Sequence, residues 1–190
     1  MKTIDLDQYN LLKKKYIQQM VSQVEHNNNT GLLISNFKDD DIYPILPLLS
    51  QEFPNWSIDR IKNYVNLVIS KKKGVSEPSG ILVAQNDALY YVGLLIYTCQ
   101  TIASNLLNKN NKDEFANGIV VENLNASSPI LQKNVFFILL ESLIVIAKKN
   151  NCHFIELPKI DETYELIEKK YKKKIIHPNN FRFFINLKMD

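Results

Sequence analysis

The sequence predicts an α+β fold, a central mixed β-sheet flanked by helices, and three observations lead to it. First, a buried strand at 118–124 precedes a helix at about 131–150 that is apolar on nearly every side, which is typical of a central helix. Second, another apolar strand follows at 152–157, so these two strands should run parallel through a right-handed crossover. Third, Asn86-Asp87 separates two apolar runs and predicts a tight antiparallel hairpin.

The first thirty residues are predicted to be an amphipathic helix and a linker. Apolar residues recur three and four positions apart, at Leu6, Tyr9, Leu12, Tyr16, Met20 and Val24. A polar run at 26–31 then breaks the pattern. We therefore divide the chain into a helix and linker at 1–30 and one domain at 31–190. We expect the helix to dock on that domain or on a protein partner.

The domain begins with a short strand at 32–37 and two helices. The first helix follows the acidic run at 39–41 and ends near Phe53. Ser57 is the predicted N-cap of the second helix, because it precedes an apolar-periodic segment that runs to about residue 72.

The remaining elements complete the sheet. They are strands at 81–85 and 88–99, a polar loop at 100–113, the central strand and helix, a strand at 152–157, a helix at about 161–173 and a last strand at 181–187. The resulting order is β-α-α-β-β-β-α-β-α-β. That order predicts a mixed sheet in which the strands at 118–124 and 152–157 run parallel.

Composition argues against several classes of partner. The 190 residues are 45% hydrophobic, which suits one domain with a sizeable core. The net charge is +3 and the pI about 8.7, so no nucleic-acid partner is expected. Three lysine runs, at 13–15, 71–73 and 172–174, lie near predicted helix ends, where solvated cations are common.

The two cysteines and three histidines show no metal-ligand spacing, so no metal is expected. Cys99 and Cys152 lie in apolar strand contexts and are interpreted as buried reduced thiols. The N-terminal residues carry charges without an apolar segment, and the apolar run at 135–147 is too short to span a bilayer. We expect a cytoplasmic protein with no membrane partner.

The element order resembles that of the GNAT superfamily of acyl-CoA-dependent N-acyltransferases over about residues 32–187. Three local segments agree with it. The run at 37–49 is similar to the family's first strand and helix, with acidic residues opening the helix. Leu139-Leu140-Glu141-Ser142-Leu143 and the residues after it resemble the central helix leading into the fifth strand. Tyr171-Lys172-Lys173-Lys174-Ile175-Ile176 resembles the family's Y-x-x-x-G-F, with Ile175 in place of the glycine.

The family's pyrophosphate-binding loop, Q/R-x-x-G-x-G/A, is degenerate in this chain. By alignment to the central helix it falls on Leu131-Gln132-Lys133-Asn134-Val135-Phe136. Glycines in that loop let main-chain N–H groups close on a diphosphate. Here Asn134 replaces the first glycine and Phe136 the last small residue, so Phe136 would either fill the diphosphate site or move the start of the helix.

The resemblance implies acetyl-CoA or another acyl-CoA as the cofactor. Its candidate binding residues are the main-chain groups of Leu124, Asn125 and Ala126, the N–H groups of Asn134 and Val135, Lys133 as a charge for phosphate, and Phe136 at the cleft. It also implies Glu122 as the base that takes the amine's proton and Tyr171 as the acid for the leaving thiolate. The alternatives are a solvent-facing strand carboxylate for Glu122 and a packing tyrosine for Tyr171.

Two functions remain open at this stage. The first is a divergent N-acyltransferase that moves an acyl group, with acetyl as the expected one, to a small-molecule or peptide amine. The second is a catalytically inactive GNAT-fold protein, with Phe136 plugging the CoA cleft and the N-terminal helix binding a protein partner. A third possibility is that the domain has some other α+β fold.

Overall fold

The computed structural model of the chain describes residues 31–37, 42–70, 79–103, 115–159, 161–176 and 182–187. The predicted N-terminal helix, the acidic run at 39–41 and most of the polar loop at 100–113 lie outside these ranges. The division of the chain at residue 30 therefore stays a prediction.

Seven strands form one mixed sheet, which confirms the predicted fold class. They are β1 (Leu33–Asn36), β2 (Gly80–Gln85), β3 (Tyr91–Ala103), β4 (Phe115–Ala126), β5 (Phe154–Pro158), β6 (Ile175–Ile176) and β7 (Arg182–Asn186). Their spatial order is β1-β2-β3-β4-β5-β7-β6. β4 and β5 are parallel, as predicted, and every other neighbouring pair is antiparallel. The crossover between the parallel strands places the long central helix on one face of the sheet.

The described residues also form four helices, which cover the two faces of the sheet. They are α1 (Leu46–Glu52), preceded by a 3-10 turn at Tyr43–Ile45, then α2 (Ile58–Ser70), α3 (Pro129–Lys149) and α4 (Asp161–Tyr171), which continues as a 3-10 turn at Lys172–Lys174. Ser57 is the N-cap of α2, as predicted, because its Oγ accepts a hydrogen bond from the Arg60 N–H at 3.3 Å.

Hydrophobic cores lie on both faces of the sheet, and Ala116, Phe154 and Phe184 form a smaller buried cluster. Residues of α1 and α2, such as Ile45 and Val65, pack on one face against Leu94 and Ile96 of β3. Residues of α3 and α4 pack on the other face with apolar side chains of all the longer strands. Because α3 is apolar nearly all round and packs on this face of the sheet, it is the central helix that the sequence predicts.

Several boundaries differ from the sequence predictions. The hairpin after β2 is longer than expected, because the Asn86 N–H donates to the Tyr90 carbonyl at 3.0 Å and the Asn86 side chain accepts from the Tyr90 N–H at 2.9 Å. β3 consequently begins at Tyr91. The two-residue strand β6 was not predicted, since its pairing with β7 is too short to leave a periodic pattern.

One of the two cysteines, Cys152, is buried as predicted. Cys152 is buried in the core beneath α3, whereas Cys99 is only half-buried. Burial, with a smaller contribution from Cys99, raises the pKa of the Cys152 thiol to about 11, so it stays protonated at neutral pH. Within the described ranges, none of the helices is long and apolar enough to cross a membrane.

Candidate functional site

The centre of the site is the point where β4 and β5 separate. Only Gly118, Ile119 and Val120 of β4 pair with β5, opposite Phe154, Ile155 and Glu156. β4 then continues for six more residues, 121–126, paired with β3 alone. The parallel pair therefore opens into a wedge, and the β5 side of this part of β4 has main-chain groups without a strand partner.

Arg182 lies at the apex of the wedge. Its Nη2 donates to the Val121 carbonyl at 2.9 Å, the first β4 residue beyond the parallel pairing. Its Nε donates to Glu156 Oε1 in a charge-assisted hydrogen bond on β5. One guanidinium thus joins the two strands where their main-chain pairing stops.

A β-bulge in β4 places the candidate base. Tyr97 is opposite Val121 and Ile96 is opposite Asn123, so Glu122 is the extra residue of the bulge. The Glu122 side chain is exposed, and its Oε1 accepts a hydrogen bond from Thr98 Oγ1 at 2.7 Å. Thr98 therefore holds a carboxylate at the rim of the wedge.

The α1 and α2 side of this rim is aromatic. The rings of Phe53 and Trp56 stack at 4.4 Å, and Tyr64 contacts both edge-on at 5.5 and 5.7 Å. Burial, followed by the charges of Glu122 and Glu52, raises the pKa of the Tyr64 phenol. The Tyr64 hydroxyl therefore stays protonated at neutral pH.

The N-terminus of α3 faces the open end of β4. Only two residues, Ser127 and Ser128, separate β4 from α3, and the Ser127 N–H donates to the Val92 carbonyl at 2.9 Å. The N–H groups of the first turn, from Ile130 onward, have no partner inside the helix, and Pro129 lacks one altogether. This turn is a suitable position for an anionic group.

The start of α3 corrects the predicted position of the loop. The helix was expected from about residue 131, with 131–136 as the pyrophosphate loop, but it begins at Pro129 and all six residues are helical. Asn134 and Val135 are its sixth and seventh residues, so their N–H groups lie within the helix rather than at its open end. The reason is Pro129, whose fixed φ favours the first helical position.

The start of α3 at Pro129 determines which side chains of residues 133–136 are exposed and which are buried. Lys133 and Asn134 are exposed near the start of α3, and Val135 and Phe136 are fully buried in the core. A methyl group on Gly93 of β3 would overlap Val135 Cγ1, so the glycine lets α3 approach the sheet closely. Leu124 and Ala126 of β4 also pack on this core, which brings all these predicted residues to one end of the sheet.

Tyr171 lies away from Glu122, at the contact between α3 and α4. Its hydroxyl donates to Glu141 Oε1, and Lys170 Nζ is 3.1 Å from Glu141 Oε2. Burial, then the hydrogen bond and charge of Glu141, raise the pKa of the Tyr171 phenol well above its usual range. The hydroxyl proton is thus held by a carboxylate of the same protein.

Several residues of the site were not predicted. Arg182 and Thr98 form hydrogen bonds to residues on other strands, and no periodic pattern marks such contacts. Asn123 lies on β4 and Tyr64 on α2, where the apolar pattern predicts burial but no role in a site. The bulge at Glu122 has no sequence signal of its own, since it appears only in the register with β3.

Comparisons with known proteins support the fold. No family model and no curated protein matches the sequence. Solved structures do match. An N-acetyltransferase from Staphylococcus aureus Mu50 has a TM-score of 0.57 at 14% identity, over 84% of this chain and 100% of its own.

Two further solved structures carry ligands. The NatC complex bound to Gag peptide and CoA has a TM-score of 0.53 at 10% identity, over 83% of this chain and 99% of its own. AtaT complexed with acetyl-methionyl-tRNAfMet has a TM-score of 0.51 at 9% identity, over 83% of this chain and 95% of its own. At these identities the likeness is one of fold. Together with the parallel strand pair and its wedge, it shows that this chain has the GNAT fold.

Proposed function

We propose that the protein is a divergent N-acyltransferase of the GNAT type, which moves an acyl group, acetyl in the simplest case, from acyl-CoA to an amine. The observation that carries the proposal is the wedge between β4 and β5. Six consecutive residues of β4 leave β5 immediately before α3 begins. This arrangement offers main-chain hydrogen bonds and a helix N-terminus to one extended, anionic ligand.

The main chain at the wedge fits such a coenzyme. Acyl-CoA would supply the activated acyl group as a thioester. The peptide groups of Leu124, Asn125 and Ala126 would hold its amide-bearing arm, since their β5 side has no strand partner. The first turn of α3 and the exposed Lys133 would hold its phosphates. The N–H groups of Asn134 and Val135 are less suited to this role than those of the first turn.

The candidate base is Glu122. Its carboxylate is exposed at the wedge and is oriented by Thr98, so it can accept the proton of an incoming ammonium group. Tyr171 can give a proton to a leaving thiolate only after its hydroxyl turns away from Glu141. Glu122 is therefore the better supported of the two catalytic assignments.

A second candidate function is a catalytically inactive GNAT-fold protein that binds a partner. Two observations favour it. The start of α3 lacks the glycines of the family loop, and the Tyr171 hydroxyl is engaged by Glu141. Phe136 does not distinguish the candidates, because its ring is fully buried in the core, more than one turn inside α3.

Coenzyme binding tests the proposal. Acetyl-CoA at ten times its dissociation constant stabilises a native state by about 1.4 kcal/mol. For a domain of this size, we expect the melting temperature to rise by about 3–6 °C. Differential scanning fluorimetry with acetyl-CoA up to millimolar concentration measures this shift, and ATP at the same concentration controls for general anion effects.

Glu122→Gln separates binding from chemistry. We expect this variant to keep the acetyl-CoA shift but to release free CoA thiol at least about tenfold more slowly with any amine that the wild type acetylates. If millimolar acetyl-CoA leaves the melting temperature of the wild type unchanged, the proposal is wrong and the inactive GNAT-fold protein is supported.

A further inference from the structure

We propose that Asn123 is a specificity-determining residue of the acceptor site, and that with Glu122 and Glu52 it selects an organic cation carrying a primary ammonium group. This inference rests on the proposed function, because it names the amine class that the wedge would receive. It is argued from one buried amide oxygen, the bulge that orients it and the charges beside it.

The amide oxygen of Asn123 is buried without a donor. The side chain is only 5% exposed, and its Oδ1 accepts no hydrogen bond from any residue that the structure describes. Buried acceptors of this kind are rare in native proteins, because their lost hydration is not replaced. A ligand that brings an N–H or O–H group would satisfy it.

The bulge points Asn123 and Glu122 to the same face of the sheet. Asn123 is opposite Ile96, whose side chain lies in the core beneath α1 and α2. Thr98, two residues further along β3, projects to that same face and donates to Glu122. Asn123 Oδ1 and the Glu122 carboxylate therefore both face α1 and α2. Asn125 faces the same side, because its Nδ2 donates to the Leu48 carbonyl of α1 at 2.8 Å.

The charges beside this oxygen are negative. Within the described part of the chain, neither Glu122 nor Glu52 forms an ion pair. Glu52 is the last residue of α1, next to Phe53, whose ring contacts Tyr64, and both carboxylates contribute, after burial, to the raised pKa of the Tyr64 phenol. Of the two basic residues of α2, Arg60 packs over the Trp56 ring at 4.2 Å, and Lys62 Nζ donates to the Tyr43 hydroxyl at 3.1 Å. The cation that would balance the two carboxylates is thus not supplied by the described residues.

An ammonium group matches this lining better than a neutral donor does. Its three N–H groups can bond to Asn123 Oδ1 and to Glu122, and its charge offsets both carboxylates. A hydroxyl group would satisfy the amide oxygen but would leave the charges unbalanced. Asn123 Oδ1 therefore favours ligands that donate a hydrogen bond over ligands that accept one. Among the ligands that donate, Glu122 and Glu52 favour those with a positive charge.

The test is equilibrium binding of 1,5-diaminopentane, measured by titration calorimetry without any acyl-CoA. We expect Asn123→Leu to weaken binding at least tenfold, and Asn123→Asp, which adds a negative charge, to strengthen it several-fold. Asn117→Leu is the matched control, because Asn117 lies on the same strand and is exposed, and its amide side chain accepts a hydrogen bond from Thr101 Oγ1 at 2.8 Å, away from Glu122 and Asn123. We expect this control to change binding less than twofold.

Uncharged 1,5-pentanediol tests the requirement for a cation, and we expect the wild type to bind it at least tenfold more weakly than the diamine. The inference is overturned if the diamine does not bind, if the diol binds equally well, or if both Asn123 variants bind the diamine like the wild type. If Asn123→Leu does not fold, the affinity of Asn123→Asp for the diamine is the measurement that tests the inference. Diamine binding without an acetyl-CoA shift would reject the proposed acyl transfer while supporting the cation site.

Discussion

In the first half of β4, residues 118–120 have strands on both sides, whereas the second half, residues 121–126, has only β3. The side chains differ in the same way. Residues 118–120 are Gly-Ile-Val and are buried, whereas the second half contains Glu122, Asn123 and Asn125. Hydrogen bonds on both edges and dry packing stabilise a strand, while a free edge with polar side chains is available to a ligand. One strand thus supplies stability at one end and a candidate site at the other.

The largest effect on stability is expected in the first half of β4, where residues pair with strands on both sides. Gly118 lies against Phe154, and a Cβ at this position would overlap the aromatic ring, which is itself fully buried and 5.3 Å from the ring of Phe184. We expect Gly118→Val to lower the free energy of unfolding by about 3 kcal/mol, because overpacking forces strain into a closed core. Urea denaturation measures the loss. Phe115→Ala, at an exposed residue of the same strand, should change it by less than about 0.5 kcal/mol.

Arg182 marks the boundary between the two halves. Arg182→Met would keep much of the aliphatic side chain but would leave the Glu156 carboxylate, 15% exposed, without its cation and the Val121 carbonyl without its donor. We expect a loss of about 2 kcal/mol in the free energy of unfolding, because removing one partner leaves a poorly solvated charge. Urea denaturation of the single variant Arg182→Met and of the double variant Glu156→Gln/Arg182→Met measures this loss. The double variant should recover part of the lost free energy. An unchanged stability for Arg182→Met would show that the hydrogen bonds of Arg182 do not stabilise this part of the sheet.

Thr98 tests the second half, where the expected effect on stability is smallest. Thr98→Val removes the hydrogen bond to Glu122 at an exposed position, so the free energy of unfolding should change by less than about 0.5 kcal/mol. Acyl transfer should nevertheless slow several-fold, because the candidate base loses the donor that orients it. Steady-state kinetics with the amine identified by the binding test measures this. A large loss of stability with unchanged kinetics would assign Thr98 and Glu122 to the fold rather than to the site.

Local patterns were sufficient for most of the elements. The apolar stretch at 118–124 and the helix after it were predicted because burial on all sides leaves a continuous hydrophobic signal. The cap at Ser57 was predicted because capping acts between residues three apart in sequence. The start of α3 was missed by two residues, since the alignment to the family placed the helix by its centre and gave Pro129 no weight.

The sequence by itself determined the order of the longer elements, the parallel pairing of the strands at 118–124 and 152–157 and the position of Glu122 on the fourth strand, because these follow from periodicity and short-range chemistry. Only the tertiary structure decided where β4 leaves β5, which residue forms the bulge and what Arg182, Tyr171 and Asn123 contact. Those features depend on register and on contacts between residues tens of positions apart. Such contacts are selected by the free energy of the whole packed sheet and leave no local pattern in the chain.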